Sequence, residues 1–300
     1  MTTVLRPPPT LTAPAAPPRR PQRAAVLRTS RIGTAIALVI AVAFAVLWLI
    51  PLLWAVDTSV KPEGETTAIP VSWLPTRFTF DAYRQVLAAG QIGQWMLNSA
   101  ITAAIVTVLV VLLSSLAAYG FARTRFRGRR LLFALTIAGI VVPPQVLVVP
   151  LFAEMVSLGL VDTYWGIILP QVAAPIMVYI LKKFFDALPR ELEESALLDG
   201  ASRLRIYWQI VMPLSRSVLA AVAIFTFVFT WNNFLWPFVI ATDPDTMTLP
   251  VGLATVQTVY GVRYAQIMAS VVLGALPLLV IFVLFQRQIV RGIAHTGLGN

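Results

Sequence analysis

Residues 95–130 read WMLNSAITAAIVTVLVVLLSSLAAYGFARTRFRGRR, an uncharged stretch that ends in a segment containing five arginines. The uncharged part, residues 95–122, is longer than the roughly 20 apolar residues that a helix needs to cross a hydrocarbon layer of about 30 Å. A helix is expected because the lipid interior offers no water to satisfy backbone hydrogen-bonding groups. The stretch therefore predicts a transmembrane helix with one basic end.

The same pattern recurs along the chain. Of its 300 residues 58% are hydrophobic and 12% are charged, whereas soluble domains have about 25% charged residues. Asp, Glu, Lys and Arg are absent from residues 32–56, 95–122, 131–153, 163–181, 217–242 and 264–286. We predict an all-α integral membrane protein with transmembrane helices at about 32–56, 95–119, 131–153, 163–184, 214–240 and 264–286. Pro143, Pro144 and Pro150 should kink or break the third helix.

The lysines and arginines orient these helices. With a cytoplasmic N-terminus, 19 of the 23 Lys and Arg lie on the cytoplasmic side. The opposite orientation would invert this ratio, so the positive-inside rule predicts that both termini are cytoplasmic. The formal net charge of +10 is thereby explained without nucleic acid as a partner.

The two ends of the chain are predicted to lie outside the bundle. Residues 1–31 contain seven prolines and six arginines, a composition that cannot bury a core and predicts a disordered cytoplasmic tail. The apolar stretch that follows is too long for the core of a cleaved signal peptide. The transmembrane domain is predicted at residues 32–290, and a short cytoplasmic tail at residues 291–300.

Several kinds of chemistry are excluded or disfavoured by composition. The chain has no Cys, which excludes thiolate metal sites, and a single His, which argues against a catalytic triad or a histidine-rich metal site. A phosphate-binding loop needs Gly directly before its Lys, and none of Lys61, Lys182 and Lys183 follows a glycine. We therefore predict neither metal nor cofactor, and no ATP hydrolysis by this chain.

One cytoplasmic segment has its own structural signals. Residues 188–217 read LPRELEESALLDGASRLRIYWQIVMPLSRS. Pro189 suits the first turn of a helix, Gly200 can end that helix with a positive φ, and Ser202 can cap a second one. We predict a helix–turn–helix segment at residues 188–213. Such a segment could lie on the membrane surface, but its acidic first helix suits a basic pocket on a protein better than anionic lipid.

The spacing within this segment resembles the EAA loop of ABC importer permeases, which reads Glu-Ala-Ala, three residues, Gly, nine residues, Ile, one residue, Leu-Pro. The chain has Glu194-Ser195-Ala196, Gly200, Ile210 and Met212-Pro213 at the same spacing, and differs at Ser195 and Met212. The resemblance implies that the residues coupling the segment to an ATPase are Glu191, Glu194, Ser195, Ala196, Asp199, Gly200, Ile210 and Pro213.

Further motifs resemble the carbohydrate branch of these permeases, the MalG-like family: NS at 98–99, SSLAAY at 114–119, FRGRR at 126–130, DTYWG at 162–166, WNNFLWP at 231–237, TLPVGL at 248–253 and FQR at 285–287. The tail at 293–300 differs, because the family usually has a lysine there. The resemblance implies a type I ABC importer permease bundle in the bacterial cytoplasmic (inner) membrane. The implied solute is an oligosaccharide, monosaccharide, polyol, or glycerol phosphate or diester. The implied partners are a second permease subunit, an ATPase dimer, an external solute-binding protein or lipoprotein, and membrane lipid.

Amide and aromatic side chains at membrane depth are candidates for a solute path: Asn98, Trp231, Asn232, Asn233 and Trp236. Amides can hydrogen-bond sugar hydroxyls, and aromatic rings can stack on the C–H face of a sugar. The same side chains could instead hold helices together. An ion-coupled secondary transporter is the alternative function, although that class usually needs ionisable groups in the membrane and the six stretches have none.

Overall fold

The computed structural model describes residues 31–70, 72–88, 91–259 and 262–297, and every regular element in those ranges is a helix. The predicted tail at residues 1–31 lies outside the described residues except for Arg31. The chain divides into two units, residues 1–50 and 51–300, which are described separately. In the first unit the side chains from 34 to 50 are all exposed, as expected for a helix whose solvent is lipid.

Helix α1 (Arg31–Ser59) begins in the first unit and ends in the second. The helices that follow in the second unit are α2 (Glu63–Thr66), α3 (Asp81–Ala88), α4 (Gln91–Arg123), α5 (Arg129–Val141), α6 (Val148–Ser157), α7 (Tyr164–Val172), α8 (Pro175–Ala187), α9 (Glu191–Leu198), α10 (Arg203–Ile206), α11 (Met212–Leu214), α12 (Arg216–Trp231), α13 (Leu235–Ile240), α14 (Leu249–Val259) and α15 (Tyr264–Gly297). A 3-10 turn (Pro144–Leu147) precedes α6, and a π-helical turn (Tyr207–Val211) joins α10 to α11.

The described helices supply up to six membrane spans. Three are long and apolar enough alone: Gly33–Ser59, Gln91–Arg123 and Tyr264–Gln286. Three bent pairs meet the same criterion as units: Arg129–Val141 with Pro144–Ser157 bent by 97°, Tyr164–Val172 with Pro175–Ala187 bent by 45°, and Arg203–Leu214 with Arg216–Trp231 bent by 80°. The first two pairs correspond to the third and fourth predicted helices. The last pair includes residues 203–214, which the sequence assigns to the helix–turn–helix segment, so only its second helix, Arg216–Trp231, corresponds to the predicted fifth helix.

Three of the predicted helices are interrupted in the structure. The third breaks at Pro143, which is extended, and Pro144 begins the 3-10 turn. The fourth breaks at Ala173 and Ala174 because the residue before Pro175 is disfavoured in a helical conformation. The fifth breaks between α12 and α13, at residues 232–234. At the end of the chain, α15 continues to Gly297, so the predicted tail boundary at residue 291 falls inside a helix.

Helix α4 is the centre of the second unit and packs against α7, α8, α12 and α14. Its buried Val106, Val110 and Ala118 contact the main core, to which α8 contributes Leu181 and Phe185. Ser114 and Ser115 are also buried on α4, because small side chains let helices approach closely. A second core, formed by Ile92, Trp95, Ala103, Trp231 and Leu249, lies nearer the start of α4. One helix therefore connects the helix–turn–helix segment to the opposite end of the unit.

Candidate functional site

The first helix of the helix–turn–helix segment is α9, which begins at Glu191 with Arg190 as its N-cap. The sequence predicts Pro189 in the first turn of this helix. In the structure Pro189 instead lies before the helix. Three carboxylates, Glu191, Glu193 and Glu194, occupy the first turn, where the helix dipole favours negative charge. The acidic character of α9 is therefore compatible with its stability.

The turn after α9 is a Schellman motif. The Ala201 N–H donates to the Ala196 carbonyl at 2.9 Å, and the Gly200 N–H donates to the Leu197 carbonyl at 3.1 Å. Gly200 has a φ of 80°, the left-handed conformation that the sequence predicts. An added Cβ at this position would meet no atom within 4 Å. Only the backbone conformation, and not the available space, therefore requires glycine here.

The second helix begins where Ser202 caps it: the Ser202 Oγ accepts from the Arg205 N–H at 3.3 Å. It continues through α10, the π-helical turn and α11 as far as Leu214. Tyr207 and Val211 are fully buried in the main core, and Ile210 packs against it. Pro213 lies near the start of α11 and is exposed.

Two tyrosines attach this second helix to α4. The hydroxyls of Ser115 and Tyr207 are hydrogen-bonded at 2.7 Å, both in the buried interior. The Tyr119 hydroxyl donates to the Arg203 carbonyl at 3.2 Å, and the rings of Tyr119 and Tyr207 lie 5.3 Å apart. Buried hydroxyls without partners would be costly. These bonds therefore determine how the second helix sits on α4.

Arg123, the last residue of α4, attaches the first helix. Its Nε lies 3.0 Å from Glu193 Oε1 and forms an ion pair with it. The two atoms are not aligned for a hydrogen bond. A terminal nitrogen of the same guanidinium donates to the carbonyls of Leu188, at 2.7 Å, and Phe185. The side chains of Arg123 and Glu193 are only 3% and 11% exposed. Burial raises the pKa of Glu193, and the charges of Arg123, Arg203 and Arg190 oppose that rise.

The predicted coupling residues divide into two groups. Glu191, Glu194, Ser195 and Asp199 are exposed on α9 and at its end. Ala196 and Ile210 pack against the main core, while Gly200 forms the turn. Sequence reasoning gave no individual role to Arg123, Glu193 and Tyr207, or to Leu198, whose side chain is 89% exposed on the outer surface. The position of Arg123 directly after an apolar stretch was the one available signal for its role.

Three of the candidate solute-path residues are buried within the bundle. The Trp231 ring stacks on Phe227 with centroids 5.8 Å apart, and Trp236 donates to the Gly166 carbonyl at 3.0 Å. Asn98 is completely buried. Its amide nitrogen donates to the carbonyls of Asp245 and Met247 at 2.8 Å, and its oxygen accepts from Gln94 and Tyr164. The hydrogen bonds of Asn98 therefore hold the loop before α14 to α4.

The other two candidates lie at the break between α12 and α13. Asn232 is exposed, and within the described part of the chain its amide donates only to the Val228 carbonyl, at 2.8 Å. The Asn233 amide donates to Gln171 Oε1 at 2.7 Å. Gln171 lies near the end of α7, next to the break in the fourth span, and sequence reasoning missed it. Because α12 has 16 residues, this break lies about 24 Å along the helix from the helix–turn–helix segment.

Comparisons with known proteins agree with this architecture. Residues 110–294 match the family described as binding-protein-dependent transport system inner membrane component. The diacetylchitobiose uptake system permease protein NgcG of Streptomyces coelicolor is 36% identical, over 90% of this chain and 91% of that protein. The trehalose/maltose transport system permease protein MalG of Thermococcus litoralis is 34% identical, over 84% and 92%.

A solved structure has the same fold. It is a bacterial ABC transporter involved in the import of the acidic polysaccharide alginate. One of its chains superposes with a TM-score of 0.77 at 23% identity, over 87% of this chain and 97% of that one. The prediction of a type I importer permease bundle is thereby confirmed.

Proposed function

Because the chain belongs to the family of binding-protein-dependent transport system inner membrane components, we propose that it forms part of the membrane path for a sugar or sugar-like solute. Members of this family are multi-pass transporter subunits and not enzymes; a separate subunit hydrolyses ATP, and a solute-binding protein delivers the solute. Relatives named for diacetylchitobiose, trehalose/maltose and sn-glycerol-3-phosphate support the solute class, and their variety leaves the individual solute open. The ion-coupled alternative is set aside because this family is driven by an ATPase.

The observation that carries the proposal is the attachment of the helix–turn–helix segment to α4. The Arg123–Glu193 ion pair holds the first helix, and the Ser115–Tyr207 bond holds the second. A force applied to this segment is therefore transmitted to α4 and its neighbours, because packed interiors do not deform continuously. This is the contact that an importer needs if ATPase closure is to move its membrane helices.

The outer surface of α9 is the proposed docking surface for the ATPase. It carries the exposed carboxylates of Glu191, Glu194 and Asp199 around the exposed side chain of Leu198. An apolar side chain surrounded by charges suits a partner pocket with an apolar base and a basic rim. We assign Glu194 to a basic group of the ATPase and Leu198 to the base of that pocket.

Glu194→Ala should weaken ATPase docking. Removing one partner of a desolvated charge pair costs about 2–5 kcal/mol because the other charge stays buried and unpaired. The measurement is co-purification of the ATPase subunit from membranes, together with solute uptake in cells, and both should fall. Glu154→Ala is the matched control: Glu154 is an exposed carboxylate on α6, outside the proposed docking surface, and its variant should keep both. Full ATPase retention by Glu194→Ala would refute the docking role.

Docking of the ATPase to the helix–turn–helix segment would also determine the orientation of the chain in the membrane. The helix–turn–helix segment follows four of the spans predicted from the sequence and precedes two, which would place it on the same side of the membrane as both termini. An ATPase subunit works where ATP is, in the cytoplasm. We therefore infer cytoplasmic termini, supported by the excess of Lys and Arg on that side.

The exposed amide at the break after α12 supports the proposal of a second permease subunit. Among the described residues, the Asn232 side-chain amide makes one hydrogen bond, to the Val228 carbonyl. A partly unsatisfied amide facing lipid is costly, whereas one facing a wet cavity between two subunits is satisfied. We propose that a second, similar permease subunit covers this surface and that Asn232 and Asn233, with Gln171, line the solute path. Asn98, Trp231 and Trp236 support this path by packing and do not contact the solute.

Asn232→Leu should lower solute uptake severalfold without loss of assembly, because its side chain packs against little and offers hydrogen bonds to sugar hydroxyls. Uptake and the yield of assembled transporter are measured in parallel. Gln91→Leu removes another exposed amide, at the start of α4, and should keep native uptake. Trp236→Leu, at a buried position, should reduce assembly instead. Poor assembly of the Asn232→Leu variant would assign that residue to helix packing.

A further inference from the structure

A cavity of about 750 Å³ lies beside the helix–turn–helix segment, where α4 ends and α5 begins. This volume is in the range of about 300–1,000 Å³ that small-molecule sites occupy. Two carboxylates, Glu193 and Glu194, are part of its lining. The cavity is also lined by six arginines: Arg123, Arg125, Arg129, Arg130, Arg190 and Arg203. Its lining is therefore strongly positive, and it suits an anion.

Three of these arginines are engaged within the protein, and three are not. Arg123 contacts Glu193, Arg129 donates to the Thr124 carbonyl at 2.9 Å, and Arg203 donates to the Arg123 carbonyl at 3.3 Å. The side chains of Arg125, Arg130 and Arg190 form no hydrogen bond or ion pair with any part of the chain that the structure describes, and all three are exposed. Their guanidinium groups can therefore donate to a ligand, and a guanidinium matches the oxygens of a phosphate in bidentate fashion.

The apolar surface around the cavity indicates which class of anion the cavity would bind. Leu131 lines the cavity and is 66% exposed, and Leu135, one turn further along α5, is 59% exposed. Phe126 is another lining residue and is 43% exposed. An uncharged span begins at residue 131, so this apolar surface continues from the cavity into the membrane. A basic cavity that opens onto lipid-facing leucines fits a molecule with a charged head and apolar chains.

We propose that this cavity binds the phosphate headgroup of an anionic phospholipid, whose acyl chains lie along the exposed leucines of α5. Basic cavities between transmembrane helices are suited to such headgroups. The ATPase is a less suitable occupant, because a partner with a basic rim for Glu194 would be repelled by the unpaired arginines. The bound headgroup would also lie against Arg190, the N-cap of α9, and would stabilise the position of α9. The binding itself does not depend on the proposed solute or on the ATPase.

The test measures lipid retained by the full chain, purified in detergent, by native mass spectrometry. The chain is titrated with phosphatidylglycerol and, separately, with phosphatidylcholine. We expect at least one phosphatidylglycerol to remain under conditions that remove phosphatidylcholine. The double substitution Arg125→Gln with Arg130→Gln should weaken phosphatidylglycerol binding about thirtyfold, since each basic group near a lipid surface contributes about 1 kcal/mol.

The matched control is Arg127→Gln, because Arg127 lies in the same loop but does not line the cavity. It should bind phosphatidylglycerol as the native chain does. The double substitution Arg125→Lys with Arg130→Lys should restore most of the binding, and thermal melting checks that each variant is folded. Equal retention of the two lipids, or equal loss in the Arg127→Gln variant, would overturn the proposal. Displacement of the lipid by excess inorganic phosphate would also overturn it, by showing a site for soluble phosphate.

Discussion

Replacing Gly200 with valine should abolish solute uptake while leaving the chain in the membrane. Gly200 has a φ of 80° in the Schellman turn between α9 and α10. A β-branched residue is disfavoured in this conformation, with a strain of about 1–3 kcal/mol. The turn would relieve that strain by changing its backbone angles, and α9 would then point away from its proposed ATPase docking position. Uptake in cells is measured together with the amount of chain in the membrane fraction.

Two controls separate backbone strain from side-chain size. Gly200→Asn adds a side chain of similar size, but asparagine tolerates positive φ, so uptake should remain largely native. Gly93→Val places valine in α4 at a glycine that also has open space and has no positive φ, and it should keep uptake. If Gly200→Val transports at the native rate, the turn has no coupling role. If Gly200→Asn fails as completely as Gly200→Val, the strain explanation is wrong.

Replacing Arg123 with alanine should cause the largest loss of stability among these variants. The substitution leaves Glu193 buried without its partner and removes the donor to the Phe185 and Leu188 carbonyls. Breaking a buried ion pair in this way typically costs about 3–5 kcal/mol. Uptake should be lost as well, because α9 is no longer held to α4. The measurement is the midpoint of thermal unfolding of the purified chain, with uptake assayed separately.

The pH dependence of this variant provides a second measurement. Burial raises the pKa of Glu193 and Arg123 opposes the rise, so removing Arg123 should raise that pKa further. A carboxyl group whose pKa is higher in the folded than in the unfolded chain binds its proton preferentially when the chain is folded. Stability therefore falls as the pH rises from the pKa of the unfolded chain to that of the folded chain. The melting temperature of Arg123→Ala should therefore fall more steeply than that of the native chain from about pH 5 to about pH 8.

A double substitution tests whether the charge pair or the packing is important. Arg123→Met combined with Glu193→Leu replaces both charges with apolar groups, which is often neutral or stabilising at buried ion pairs. The pair of substitutions should recover much of the stability that Arg123→Ala loses, and should remove the steep pH dependence. If the double variant is as unstable as Arg123→Ala, the hydrogen bonds of Arg123 to the backbone contribute more than the ion pair.

The sequence alone determined the features that depend on local rules. The order of the predicted spans follows from charge-free stretches, because burying a charge in lipid is costly wherever it lies in the chain. The positive φ of Gly200, the cap at Ser202 and the break at Pro143 follow from steric and hydrogen-bonding preferences of neighbouring residues. The resemblance to ABC importer permeases could also be recognised from the sequence alone, since the residues of the EAA loop lie within a single segment.

Only the tertiary structure decided which side chains meet. Glu191, Glu193 and Glu194 are equivalent by sequence, yet only Glu193 points inward, to an arginine at the end of α4. The bonds of Asn98 to Asp245 and Met247 span 147 and 149 positions, and the sequence gives no sign that this side chain holds a loop to α4. Helical periodicity determines which side chains share a face. It does not determine what that face contacts, because the contact depends on packing between helices that are distant in the chain.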